Sequence, residues 1–238
     1  GVKVLLSRIG IMCGGSDNGA GLYVGADAAV ELRYCFFEYN HASERGGAIY
    51  NDGGTILFRE YVSIRDCKAQ IEGGGIYNKG GTVIIQGPDD FRSFFSANFA
   101  GERGGAIYID DGIVIMDFVD IVRNQASFGG ALYLSSGSFQ AYRATFSSDS
   151  RYPGAFGGGL FIAGGAVSVV NATFCQNQVT EYGAGIAVQG GVAEIINCTI
   201  TENQAGSEDS EGTGAGIYVY PDSDGICRIG NTIVAGNT

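Results

Sequence analysis

Tryptophan is missing from this chain, histidine occurs once, at His41, and proline only three times. With a single imidazole there is no poly-histidine metal site, and no serine or cysteine nucleophile stands at a recognisable spacing from a base. So few prolines leave backbone N–H groups free to donate to neighbours on both sides, as interior strands require. Positive charge is also scarce: 14 lysines and arginines face 25 aspartates and glutamates, for a net charge of −11 and a pI near 4.4. That balance argues against a nucleic-acid partner or an anionic membrane surface. The apolar run nearest the start is the short Val4-Leu5-Leu6, so neither a signal peptide nor a membrane span is read here. No segment holds a helical pattern of useful length.

Glycine is abundant instead, at 41 of 238 residues against a usual share of about 7%. Its placement is periodic. The word Gly-(Gly/Ala)-(Ala/Gly)-(Ile/Leu)-(Tyr/Phe/Ala) begins at Gly19, Gly46, Gly73, Gly104, Gly129, Gly157, Gly183 and Gly214, in steps of 25 to 31 residues. A second word, an apolar residue followed three positions later by a polar one, keeps phase with it: Phe37 with Asn40, Ile64 with Cys67, Phe95 with Asn98, Ile121 with Asn124, Phe146 with Asp149, Phe174 with Asn177, Ile200 with Asn203 and Val234 with Asn237. Alternating apolar stretches such as Thr55 to Phe58 and Val192 to Ile195 lie between. Each round therefore holds three short strands and too few residues for a helix, which predicts an all-β parallel β-helix of about eight to nine coils in a single domain over 1–238. At about 4.8 Å per coil, eight coils make a rod about 38 Å long.

Alternation assigns the faces. Ile49, Ile76, Ile107, Leu132, Leu160, Ile186 and Ile217 fill the bore, while Cys35, Val62, Ser93, Val119, Ala144, Ala172, Cys198 and Thr232 point inward from the third strand. The same rule sends the fifth residue of each glycine word outward, as Tyr23, Tyr50, Tyr77, Tyr108, Tyr133, Phe161, Ala187 and Tyr218. Such a stripe reads either as a self-supporting aromatic ladder or as an exposed docking stripe for glycan or protein. On the second reading, Tyr77→Ala with Tyr108→Ala lowers binding without unfolding the rod. Asn40, Asn98, Asn124, Asn177, Asn203 and Asn237 form a structural amide ladder, interrupted by Cys67 and Asp149 and extended downward by Cys13. Asn171-Ala172-Thr173 and Asn197-Cys198-Thr199 are N-glycosylation sequons, with Asn231 next in their column; they read as a second short ladder or as glycan carriers.

The six cysteines offer no clean disulfide pair. Cys35 and Cys198 share a column about 29 Å apart, and Cys13 and Cys67, if aligned, lie about 9.6 Å apart, beyond the ~7 Å reach of a bridge. No Cys/His spacing suits zinc. Acidic insertions at Pro88-Asp89-Asp90, Gly206 to Gly212 and Pro221 to Asp224 read as solvated turns, so no metal or cofactor is expected. Asp52, Lys79 and Asp110 fall at one repeat position and suggest a small ion ladder. Catalysis is not expected, because carboxylate pairs lack a partner column; Asp66, Asp117, Asp120 and Arg123 are the residues a polysaccharide lyase or hydrolase would use first.

The words Gly46-Gly47-Ala48-Ile49, Gly104-Gly105-Ala106-Ile107, Phe37 to Asn40, Phe95 to Asn98 and Phe174 to Asn177 resemble the repeats of polymorphic outer membrane proteins of chlamydia and of related right-handed parallel β-helix proteins. The resemblance implies a right-handed, extracellular or cell-surface rod, an adhesin passenger in some members, and carries no catalytic residue across. The expected partners are a protein or glycan at a cell surface. Ends without evident caps raise a second expectation, a filament subunit that stacks on copies of itself.

Overall fold

Each coil closes because glycine stands where the backbone must turn left-handed. In the computed structural model, which describes residues 1–87, 91–150, 155–207 and 210–238, the first glycine of all eight words lies at φ between 60° and 67°. A further series, Gly53, Gly80, Gly112, Gly137, Gly165 and Gly191, turns the chain between the first and second strands. The remaining two corners use L-residues in the same region: Tyr34, Phe118, Arg143, Asn171, Asn197 and Asn231 before the third strand, and Tyr39, Asp66, Ala97, Arg123, Ser148, Gln176 and Glu202 just before the ladder position.

Strands stack in parallel and in register, and the result is a β-solenoid of about eight turns. The first strands align Leu22, Ile49, Ile76, Ile107, Leu132, Leu160, Ile186 and Ile217. The second align Ala29, Thr55, Thr82, Ile113, Ser138, Ala166, Val192 and Ile226. The third align Gly10, Phe36, Ser63, Phe94, Asp120, Thr145, Thr173, Thr199 and Ile233. A short fourth segment, His41–Arg45, Lys68–Ala69 and Phe99–Ala100 in successive coils, joins the ladder corner to the next glycine word. Its inward residues Ala42, Ala69, Ala100 and Ala126 are small and buried, which lets that wall approach the glycine turns closely.

One apolar cluster fills the bore, from Leu32, Ile49 and Phe58 through Phe95, Ile107 and Met116 to Phe146, Phe174 and Ile200. Phe146 and Phe174 stack at 4.5 Å. Asn51 and Asn78 enter the same bore and turn the second-strand corner with their amides: Asn51 Nδ2 donates to Gly54 O (3.1 Å) and Asn78 Oδ1 (2.7 Å), and Asn78 Nδ2 donates to Gly81 O (3.0 Å).

Three expectations of register and placement change. Gly10 pairs with Phe36 and Ile11 with Phe37, so Gly14 rather than Cys13 stands under Asn40, and Gly14 N donates to Asn40 Oδ1 (2.9 Å). Lys79 bonds Asp52 (3.1 Å) but pairs in register with Asp111, because the strand shifts register between Asn78 and Lys79 and leaves Asp110 out of the ladder. The third concerns the tyrosines and is taken up below. All six cysteines are free thiols, with Cys35, Cys67 and Cys198 buried. The acidic stretch Pro88-Asp89-Asp90 lies outside the described residues, as do residues 208 and 209 of the second insertion.

Candidate functional site

The aromatic column of the first strand does point away from the bore, and its rings stack coil on coil: Tyr23 to Tyr50 at 5.3 Å, Tyr50 to Tyr77 at 4.9 Å, Tyr77 to Tyr108 at 5.0 Å, Tyr108 to Tyr133 at 5.2 Å and Tyr133 to Phe161 at 5.1 Å. It is not an exposed stripe. Tyr50, Tyr77, Tyr108 and Phe161 are buried and Tyr133 and Tyr218 half-buried, leaving only Tyr23, at 54% exposure, open to solvent. The cover is the residue immediately before each glycine word, which the turn folds over the rings: Arg45, Glu72, Arg103, Phe128, Phe156 and Tyr182 on successive coils. In its charged half, the buried Glu72 accepts from Arg45 Nε (2.9 Å) and Arg103 Nη1 (2.8 Å), while the two guanidiniums lie 5.6 Å from the rings of Tyr77 and Tyr133. In its aromatic half, Phe128 stacks on Phe156 and meets Phe161 edge-on. Where Ala187 breaks the inner column, Tyr182, Tyr218 and Tyr220 close the gap with one another.

Burial pushes the Tyr77 phenol well above its ordinary range and the Tyr108 phenol up to about 12. At the open end, Tyr23 Oη donates to Asp52 (2.7 Å), a bond that raises the phenol and lowers the carboxyl. Tyr77→Ala is therefore expected to cost about 3 kcal/mol of stability, as for other buried aromatics. Chemical denaturation checks this, and an unchanged unfolding midpoint would return the stripe to the surface.

The amide column is buried and bonded with a strict rule. Asn124 Nδ2 donates back to Phe95 O (3.1 Å) and forward to Asp149 Oδ1 (3.0 Å), and its Oδ1 accepts from Asn98 N and Asn98 Nδ2 (both 3.0 Å). Asn203 repeats the pattern, and Asn177 repeats its two donations while its Oδ1 accepts from Asp149 N. Cys67 substitutes a thiol, which accepts from Asn40 Nδ2 (3.8 Å) and which burial pushes up to about 11.

Of the residues set aside for possible catalysis, Asp66 and Arg123 belong to the left-handed corner before the ladder, whereas Asp117 and Asp120 flank Phe118 at the corner before the third strand. Asp117 takes a two-point ion pair from Arg143 (2.8 and 2.6 Å), and Asp120 is held by Arg92. The four do not converge. Among the described residues no group of three or more His, Cys, Asp or Glu could hold a metal ion.

This second corner is the surface that sequence alternation did not single out. In register, its residues read Arg8, Tyr34, Tyr61, Arg92, Phe118, Arg143, Asn171, Asn197 and Asn231. Arg92 and Arg143, from the coils on either side, lie 4.3 and 5.4 Å from the Phe118 ring centre, and Arg8 lies 5.9 Å from that of Tyr34. Phe36, outward on the adjoining strand, meets Tyr61 at 5.8 Å. Tyr34, Phe36, Phe91 and Tyr142, all on or beside this corner, are among the exposed large side chains. The sequon residues Asn171 and Asn197 continue the corner in exposed positions, and Asn231 Nδ2 donates to Asn197 Oδ1 (2.7 Å).

A parallel stack of coils held by an internal amide ladder and a covered aromatic ladder defines a β-solenoid repeat protein. Two of its stretches, residues 34–52 and 92–110, match the family described as the Chlamydia polymorphic membrane protein repeat. Both matches run from the corner residue, Tyr34 or Arg92, through the ladder asparagine and the glycine word to Asp52 or Asp110, so they cover one structural unit twice in the same phase. No curated protein and no solved structure matched the chain. Among the described residues no helix is long and apolar enough to cross a membrane.

Proposed function

We propose that this chain is part of a surface-displayed, non-catalytic rod that makes adhesive contact with a protein or glycan through the corner carrying Tyr34, Phe36, Tyr61 and Phe118. The observation that carries this reading is the run of aromatic and arginine residues in one register column, exposed at Arg8, Tyr34 and Arg143 and half-buried at Tyr61, Arg92 and Phe118. Aromatic and arginine side chains supply most of the energy at protein contact surfaces, and here they project from a rigid scaffold. The surface location rests on the two membrane-protein repeats. The ion-paired Asp117 and Asp120 support a structural use of those carboxylates, and the net charge of −11 supports a partner other than nucleic acid.

Tyr34→Ala with Phe36→Ala is expected to lower binding to cells or to surface glycans about tenfold while leaving the unfolding midpoint close to that of the parent. Flow cytometry with the labelled rod reads the first quantity and denaturation the second. Undiminished binding by the folded double variant would remove this corner from the adhesive role.

A further inference from the structure

The eight-coil ladder contains one acid where its neighbours carry amides. Asp149 is fully buried between Asn124 and Asn177. Its Oδ1 behaves as an asparagine oxygen, accepting from Asn124 N (2.7 Å) and Asn124 Nδ2 (3.0 Å). Its Oδ2 stands where the other rungs have an amide nitrogen, and among the described residues it has no partner. The repeat pattern shows what that nitrogen would do. Asn98, Asn124, Asn177 and Asn203 each donate back to the carbonyl of the apolar residue in the preceding coil, which for Asp149 is Ile121 O. Asn98, Asn124 and Asn177 also donate Nδ2 forward to an oxygen in the next coil, whereas Asn177 Oδ1 receives only the main-chain N–H of Asp149 (3.0 Å). An ionised Asp149 would thus set a carboxylate oxygen against two acceptors, away from water.

We propose that Asp149 is carried as the neutral acid, that its own proton on Oδ2 makes one of the two donations which an amide makes elsewhere, and that the ladder is consequently firmest in acid and weakens as pH rises. The groups packed against the carboxyl are the amides of Asn124 and Asn177 and the main chain of Ser147. The titratable group it acts on is the Cys175 thiol in the next coil. Burial, with no compensating cation among the described residues, drives the carboxyl well above its ordinary range. Unfolded, the same group titrates near 3.9. The sign follows: the stabilisation is fully present below about pH 3.9, declines above it as the unfolded chain releases the proton, and is lost as pH passes the folded value.

The test compares the parent with Asp149→Asn, which installs the ladder's own residue, by urea denaturation between pH 3 and 8. Expected is the smallest gap at pH 3, where one acid proton stands against two amide hydrogens, and a gap in favour of the variant that widens about tenfold in folding equilibrium per pH unit above about 4. A pH-independent gap overturns the proposal. Carbon-13 NMR of the folded parent reads the carboxyl directly; titration at or below pH 4 also overturns it. Arg151, two residues on in the sequence and outside the described residues, supplies a third arm: Arg151→Gln is expected to leave the carboxyl's titration in place, and a large upward move would show an ion pair instead.

Discussion

Asn124→Ala is expected to remove about 4 kcal/mol and to split the single unfolding transition of the rod into two. The side chain is fully buried and its amide satisfies four partners, two in the coil before as acceptor and one on each side as donor. Truncation leaves Asn98 N without an acceptor, takes from Asn98 Nδ2 its forward acceptor while it keeps Ile64 O, and leaves Phe95 O without its amide donor, at about 1–3 kcal/mol per buried group. These costs overlap because the groups share one network, hence an expected total below their sum. The splitting follows from the architecture. Each coil touches only its neighbours, so a weakened junction between the coils of Asn98 and Asp149 uncouples the blocks on either side. Calorimetry reads both consequences; a single transition with an unchanged midpoint would show that the ladder follows the coil rather than holding it.

The ladder was open to sequence reasoning because one letter recurs at one phase, and the bore because the strand period of two assigns each Ile, Val and Phe a side. What stayed hidden has a common physical cause. Alternation gives the direction of a side chain relative to the bore, but not what lies beyond it. Tyr50, Tyr77 and Tyr108 face outward as their parity requires and are nevertheless buried, because the residue before the glycine turn folds back over them. That covering column changes chemistry from Arg45 and Glu72 to Phe128 and Phe156, so no repeated letter marks it. The Tyr34 to Arg143 corner is mixed in the same way, and its left-handed backbone is carried by residues that do not advertise a turn. Tyr39, Asp66, Ala97 and Arg123 hide the other corner likewise, so at the first coil the letters point to Cys13 whereas the register places Gly14.

The glycines themselves separate into two kinds, and the largest loss of stability is expected at the less obvious one. Gly80 has a positive φ of 69° and open space where a Cβ would go. Gly80→Ala is therefore expected to cost only the left-handed backbone penalty, about 1 kcal/mol. Gly74 lacks the positive φ, yet a Cβ there would press into the main-chain oxygens of Gly105 in the next coil and of Phe99 in its fourth segment. Neither obstacle is a side-chain tip that can swing away; both are backbone, fixed by Gly74 N donating to Gly104 O (3.1 Å) and by the pairing of Phe99 with Lys68. Relieving the clash means separating two coils at the turn and stretching the inter-coil bonds beside it. Gly74→Ala is expected to cost about 4 kcal/mol or more, placing one added methyl among the most damaging single changes a folded chain meets. Parallel urea denaturation of the two variants measures the contrast. If Gly80→Ala proved the worse of the pair, backbone conformation rather than the close approach of stacked coils would be what the second glycine of the repeated word provides.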